Sequence, residues 1–261
     1  MSNQPNPPDE TGDTATTFGY RTVAEGERQG LVNAVFSSVA ARYDLMNDLM
    51  SGGLHRLWKA EFVSMIGAPQ GEQPFRLLDV AGGTGDVAIR YAERAGPNAT
   101  AVLADISPEM LQEGRAKVAA KGLGSRITLT QGNAEQLPFP DRTFDAYTIA
   151  FGIRNVTHID RALREAHRVL RIGGRFLCLE FSECQVPLLD RLYDFHSFEV
   201  IPRLGELTAG SADPYRYLVE SIRRFPKQEA FATMIREAGF ERVSFRNLTG
   251  GIAAIHSGWK L

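Results

Sequence analysis

The run LLDVAGGTGD, Leu77 to Asp86, constrains the fold of this chain more than any other stretch. An apolar, strand-like segment leads without a spacer into a glycine-rich turn, and DVAIRYAERA then continues at helical spacing. A strand-turn-helix of this kind carries backbone amides at the helix start to the mouth of a sheet, where a small ligand binds. Gly83 and Gly85 are expected to let the backbone approach a ligand without a Cβ clash, and Thr84 to hydrogen-bond the ligand or the turn. Further along, the apolar runs AVLADI, ITLTQ, FDAYTIAF and GRFLCLEF alternate with the amphipathic runs EMLQEGRAKVAA and RALREAHRVL. That alternation predicts an α/β fold with a parallel sheet and right-handed crossovers. A helix over Lys227 to Ala238 and two runs, ERVSFRNL and GIAAIHSGW, split at Gly250 and Gly251, predict a closing hairpin on the sheet.

With 261 residues, 43% of them hydrophobic, the chain can bury one sizeable α/β core. Residues 1–27 are rich in Pro, Asn, Asp, Thr and Gly and lack apolar periodicity, so they read as a disordered tail before a folded domain over 28–261. Within that domain, residues 28–74 read as a helical cap. Leu31, Val35, Val39, Leu45, Leu49, Leu57 and Phe62 recur there at helical spacing, with a break at Gly52 and Gly53. Over 183–225 the alternation stops in a lid-like insertion that contains Phe195, Phe198, Tyr215, Tyr217 and Phe225. Its composition fits a lid over an apolar ligand and a set of helices packed on the core equally well.

Basic and acidic side chains, 29 and 31, nearly cancel to a formal net charge of -2, which gives no general attraction to nucleic acid or anionic membrane. No apolar run reaches the roughly 18 to 20 residues that cross a bilayer, and the N-terminus is polar, so a cytoplasmic protein is expected. Cys178 and Cys184 are too close together to frame a disulfide scaffold, and Cys178 reads as a buried strand residue. The histidines lack metal-site spacing, and no metal is expected.

The glycine turn does not by itself choose a cofactor, because Gly83, Gly85 and Ala88 also satisfy the G-x-G-x-x-G/A dinucleotide fingerprint. Asp79 tilts the choice. A carboxylate at the strand end would repel a pyrophosphate yet accept hydrogen bonds from a cationic amino acid moiety, which favours S-adenosylmethionine over NAD. Asp105 closes the run AVLAD, where an acidic side chain takes both ribose hydroxyls or serves as a helix N-cap, a duty Ser107 fills as well. GNAEQLPFPD follows the third strand and sets Asn133 and Ala134 against adenine. All three elements fall at strand C-termini, where α/β sheets bind ligands.

DVAGGTGD, GNAEQLPFPDRTFD, FGIRNV and RVLRIGGRFLCLEF, with VFSSVAARYDLMNDLMSGGLHRLWK upstream and RFPKQEAF and LTGGIAAIHSGWK downstream, resemble the C-methyltransferases of menaquinone and ubiquinone biosynthesis. The likeness runs from about Tyr20 to the C-terminus, and FGIRN and GGIAAIHSGWK are its most selective parts. It implies a Rossmann-like class I methyltransferase, a seven-stranded, mostly parallel sheet with helices on both faces and an antiparallel last strand. It also implies S-adenosylmethionine as cofactor and methyl transfer to a ring carbon of a prenylated hydroquinone. The family's cofactor contacts carry over onto Thr84, Asp105, Asn133 and Ala134. A prenylated quinol lives in the membrane, so the resemblance further implies transient peripheral contact with the inner membrane face, and it allows a homodimer or a quinone-biosynthesis complex.

Methylating such a ring carbon requires a hydroxyl that begins to lose its proton and groups that stabilise the phenolate. Arg154 and Asn155 follow the fourth strand and are expected to face the transferring methyl. A guanidinium stays protonated, so Arg154 is assigned to orientation and phenolate stabilisation rather than proton removal. A loop-fixing role for both residues stays open. Tyr43 and Asp44 of ARYD either touch the methionine end or substrate, or serve the structure. His158 is a proton-acceptor candidate or a surface residue at a helix start. Three competing functions share parts of the pattern: an RNA methyltransferase, which would add a basic patch; an NAD-dependent oxidoreductase; and a non-catalytic cofactor-binding protein.

Overall fold

The computed structural model describes residues 15–39, 47–48, 51–186 and 213–261, and the side chains among them except at 36–39 and 213–215. Strands β1 (Ala15–Phe18) and β2 (Arg21–Ala24) form an antiparallel hairpin, followed by α1 (Glu25–Val39) and α2 (His55–Ser64). Residues 15–27 are therefore structured, where composition led to the expectation of a tail. The cause is tertiary. Phe18 stacks on Tyr217 with ring centres 4.2 Å apart, the Tyr20 amide donates to Glu220 at 3.0 Å, and the Thr17 carbonyl accepts Arg28 Nε at 2.7 Å. Two four-residue strands cannot hold a hairpin alone, so it forms because these partners dock it.

The sheet then builds through β3 (Phe75–Val80), α3 (Asp86–Arg94), β4 (Ala99–Asp105), α4 (Pro108–Ala120), β5 (Ile127–Gln131), β6 (Phe144–Ala150), α5 (Ile159–Val169) and β7 (Leu170–Phe181). After α6 (Asp213–Arg224) and α7 (Gln228–Glu237), β8 (Glu241–Leu248) and β9 (Ala253–Trp259) complete it. Seven strands lie in the order β5-β4-β3-β6-β7-β9-β8. The first five are mutually parallel, and β9 runs antiparallel to both neighbours, as the closing hairpin predicts.

Alternate residues of the central strands feed two cores, so the strands read as near-continuous apolar runs. Leu77, Leu177 and Leu179 pack with Trp58, Phe62, Tyr91 and Leu111 beneath α2, α3 and α4. Leu78, Tyr147, Phe176 and the buried Cys178 pack with Leu163, Ala166, Phe231 and Ile235 of α5 and α7. Each large side chain so buried contributes about 1.5–3 kcal/mol of transfer free energy. From the insertion, α6 places Leu218, Val219 and Ile222 in the first core, which is the packed-helix reading for that part. Phe195 and Phe198 lie outside the described residues, as does the Tyr215 side chain.

From β3 the chain steps outward to β4 and β5, then returns to β6 on the other side of β3. This reversal opens a crevice at the C-terminal ends of β3, β4 and β6, where α/β sheets hold ligands.

Candidate active site

Between the end of β3 at Val80 and the start of α3 at Asp86 the chain turns sharply, with φ at +49° for Ala81, +55° for Gly83 and +88° for Gly85. A Cβ at Gly83 would meet nothing within 4 Å, so glycine is required there by backbone conformation. Room decides at Gly82, where a Cβ would lie 2.9 Å from Leu103 Cγ and 3.0 Å from Asp79 Oδ2. The spacing of Gly83 and Gly85 carries no hint of that demand.

Asp105 ends β4 beside this turn. Its Oδ2 accepts the Gly83 amide at 2.8 Å and its Oδ1 the Ser107 amide at 2.9 Å. Burial raises its pKa, and the amides oppose the rise. Ser107 is the cap of α4, its hydroxyl oxygen accepting the Met110 amide at 3.2 Å. Asp105 is thereby spared that duty and keeps a lone pair on each oxygen. It lines a cleft of about 710 Å³ together with Gly83, Met110, Asn133 and Ala134, while Gln29, Val32 and Asn33 of α1 form the facing wall. Asn133 Oδ1 accepts the Glu135 amide at 2.9 Å, an Asx turn that fixes the loop.

A second cavity of about 330 Å³ lies on the other side of the turn, walled by Lys59, Asp79, Gly82, Thr84 and Asp86. Asp79 is buried in β3; Oδ1 accepts the Thr148 hydroxyl at 2.8 Å, and Oδ2 has no hydrogen-bond partner among the described residues. Burial pushes its pKa up to about 7, against the pull of the Thr148 hydroxyl and, more weakly, of the Ala88 amide and Lys59. Lys59 Nζ sits 2.9 Å from Asp86 Oδ2 and, although burial opposes it, helps to hold the Asp86 pKa low. The Thr84 hydroxyl accepts Lys117 Nζ at 3.0 Å, so this residue serves the second cavity and α4 rather than the main cleft.

Two carboxylates at adjacent strand ends, a glycine turn between them and a covering helix are the common equipment of nucleoside-binding α/β sheets. A comparison narrows the choice: the sequence model of the ubiE/COQ5 methyltransferase family matches residues 21–260. The chain belongs to this family. The "Ubiquinone/menaquinone biosynthesis C-methyltransferase UbiE" of Bradyrhizobium diazoefficiens is 60% identical over 253 residues, 97% of this chain and 100% of the relative. Its counterpart from Brucella abortus is 59% identical over 251 residues, 96% of this chain and 93% of the relative. A SAM-dependent methyltransferase from Thermotoga maritima shares the fold at a TM-score of 0.60 and 19% identity, covering 88% of this chain and 100% of that one. Phosphoethanolamine N-methyltransferase 2 of Haemonchus contortus, solved with S-adenosyl-L-methionine, gives 0.58 at 14% identity, over 78% of this chain and 52% of that one. Family and fold agree on a SAM-dependent methyltransferase.

In this ubiE/COQ5 family member the FGIRN run leaves β6 through Phe151, at φ +57°, into a single 3-10 turn over Ile153–Asn155. Asn155 lines the main cleft. Its Oδ1 accepts the Tyr217 hydroxyl at 3.0 Å, and its carbonyl accepts Arg28 Nη1 at 3.0 Å. Arg154 turns instead into a buried pair: Nη1 lies 2.7 Å from Glu180 Oε1 and 2.6 Å from the Phe151 carbonyl, and the guanidinium sits 5.6 Å from the centre of the Phe181 ring. Burial raises the Glu180 pKa in spite of Arg154. Arg154 Nε and Glu180 Oε2 are buried without hydrogen-bond partners among the described residues. His158 pairs with Glu25 at 2.6 Å and starts α5. Tyr43 and Asp44 lie outside the described residues.

Of the residues singled out in the sequence, Gly83, Asp105, Asn133, Ala134 and Asn155 share the main cleft, and Asp79 and Thr84 share the second cavity. Gly85, the αL residue before α3, shapes the turn from beneath, its α-carbon facing Leu103. Arg28, Lys59 and Glu180 were not singled out in the sequence, and Tyr217 was noted only as one aromatic of the insertion. No periodicity or motif marks the polar contacts they make.

Proposed function

We propose that this methyltransferase moves the methyl group of S-adenosylmethionine to a ring carbon of a prenylated hydroquinone, converting demethylmenaquinol to menaquinol, a methoxybenzoquinol to its methylated product, or both. The names of relatives at about 60% identity support the substrate class. The observation that carries the cofactor is Asp79 Oδ2, a buried carboxylate oxygen without a partner among the described residues. A cationic amino group placed there restores the ionisation that burial suppresses, whereas a pyrophosphate would meet repulsion.

The residues fit the rest of such a ligand. Lys59 on the same cavity wall suits its carboxylate, with Thr84 on that side of the turn, Gly83 on the other, and Gly85 setting the turn from beneath. Asp105 is assigned to the ribose hydroxyls, and Asn133 and Ala134 to the adenine; all three line the main cleft, which supports the assignment. When bound, S-adenosylmethionine would supply an electrophilic methyl for the ring carbon, with the sulfur as leaving group. Asn155, on the cleft wall, is assigned to the ring oxygen that gains negative charge. Arg154, held by Glu180 in a low-dielectric site, presents the positive end of a fixed ion pair one residue away; a water molecule carries the hydroxyl proton off, and the methylated ring carbon then gives up its own hydrogen as a proton while the oxygen is reprotonated, which restores the aromatic ring. Tyr43 is assigned to the substrate or the methionine end, and the 183–225 insertion, with the N-terminal helices, to the prenyl tail. No described helix is long and apolar enough to cross a membrane, and the long-tailed substrate is reached by transient contact with the inner membrane face from the cytoplasm.

The test is methyl transfer from labelled S-adenosylmethionine to reduced demethylmenaquinone and to the reduced methoxybenzoquinone, each with short and long tails. Label on the ring carbon is the expected result. Cofactor binding without transfer to either ring overturns the assignment.

A further inference from the structure

Tyr217 comes from α6, near the end of the 183–225 insertion, yet its hydroxyl reaches the FGIRN turn and donates to Asn155 Oδ1 at 3.0 Å. A side-chain amide has one acceptor end and one donor end, and two orientations exchange them. For an oxygen that gains negative charge only the donor end is useful. We propose that Tyr217 is a positioning residue for methyl transfer: by occupying Asn155 Oδ1 it turns the Asn155 Nδ2 donors into the cleft, toward the substrate oxygen. This rests on the role given to Asn155 in the proposed function.

Three features hold the arrangement. The Tyr217 ring is stacked on Phe18 at 4.2 Å with planes 16° apart, and only 4% of the residue is exposed, so the hydroxyl has one place to go. Arg28 and Arg154 are the charged neighbours that act on this hydroxyl. Cations attract the lone pairs of the phenol oxygen, which leaves its proton to point away, at Asn155 Oδ1. Arg28 Nη1 also holds the Asn155 carbonyl at 3.0 Å, so backbone and side chain of Asn155 are fixed from the same side.

The experiment compares Tyr217→Phe, Asn155→Ala, Asn155→Asp and the Tyr217→Phe/Asn155→Ala double variant in the full chain, with the reduced quinone shown to be the substrate. Steady-state kinetics, thermal unfolding and calorimetric S-adenosylmethionine titration are read together. Tyr217→Phe keeps the stack and is expected to lower kcat on the order of 10- to 100-fold, the effect of one misaligned transition-state donor, with cofactor affinity and melting temperature unchanged. Asn155→Asp still accepts the Tyr217 proton but has no donor, and its kcat is expected to fall at least as far. The double variant is expected to be no slower than Asn155→Ala. Wild-type kcat in Tyr217→Phe, or the same fold-loss from Tyr217→Phe in both backgrounds, overturns the positioning role while leaving the methyltransferase assignment standing. Wild-type kcat in Asn155→Asp overturns the donor role of Asn155 and this proposal with it.

Discussion

Asp79 and Thr148 stand in register across β3 and β6, and the Thr148 hydroxyl donates to Asp79 Oδ1 at 2.8 Å. That bond commits one carboxylate oxygen to the sheet and leaves the other, Oδ2, for the second cavity. The same pair sets the pH behaviour of the site.

Burial raises the Asp79 pKa from 3.8 to about 7. A folded value above the unfolded one means that the stability contribution is fully present below about pH 4 and is lost as pH rises through about 7. Asp79→Asn removes that dependence. Urea unfolding of the cofactor-free protein should show the variant gaining on the wild type between about pH 4 and 8, by up to about 4 kcal/mol. Cofactor binding should do the opposite, with wild-type affinity rising across that window and the variant weak at every pH. A constant stability difference from pH 4 to 8 would remove Asp79 as the group concerned.

Arg154→Met leaves Glu180 buried and unpaired, and should cost about 3–5 kcal/mol in urea unfolding. Adding Glu180→Leu removes the orphaned charge and should recover most of that loss. Turnover should stay low in both. If the double variant regains turnover along with stability, the pair is structural and the guanidinium has no part in the chemistry.

Gly82→Ala and Gly83→Ala separate two demands on the turn. At Gly82 the methyl meets Leu103 and Asp79 Oδ2, so about 1–3 kcal/mol of overpacking and a loss of S-adenosylmethionine affinity are expected together. At Gly83 the methyl has open space but the wrong φ, so a cost of about 1–2 kcal/mol is expected from strain. Thermal unfolding and calorimetry of the two variants check this; a larger destabilisation at Gly83 would contradict it.

Arg28→Ala removes donors to Thr17, Asn155 and Thr157 at once. Hydrogen exchange of residues 15–24 should accelerate by about tenfold or more, because each charge-assisted hydrogen bond contributes about 1.5–3 kcal/mol. Unchanged protection there would mean that the Phe18–Tyr217 stack and the Tyr20–Glu220 hydrogen bond suffice to dock the hairpin.

The β3-turn-α3 unit was legible because three local signals coincide over ten residues: an apolar run, glycines and helical spacing. The closing hairpin was legible for a similar reason at Gly250 and Gly251. The hairpin of residues 15–24 was not, because two of the groups that dock it, Tyr217 and Glu220, lie some 200 residues away and leave no local trace. FGIRN shows the same limit at a finer scale. The run places Arg154 and Asn155 after β6, but in a 3-10 turn neighbours diverge by about 120°, so one faces the cleft when the other cannot. The phase of a short turn is set by what surrounds it, here Glu180 on one side and Tyr217 on the other.

The antiparallel strand β9 lies inside the sheet, between β7 and β8, although it is the last of the seven in the chain. On the ribosome, β8 therefore emerges before the strand that joins it to the sheet, and β7 presents an open edge until residues 253–259 follow. A nascent chain stopped short of them carries an unpaired β8 and the open edge of β7, both templates for aggregation. Translation and folding of this sheet thus converge on β9, and a premature stop codon anywhere before it should yield a client for chaperones and proteases rather than a slightly weakened enzyme.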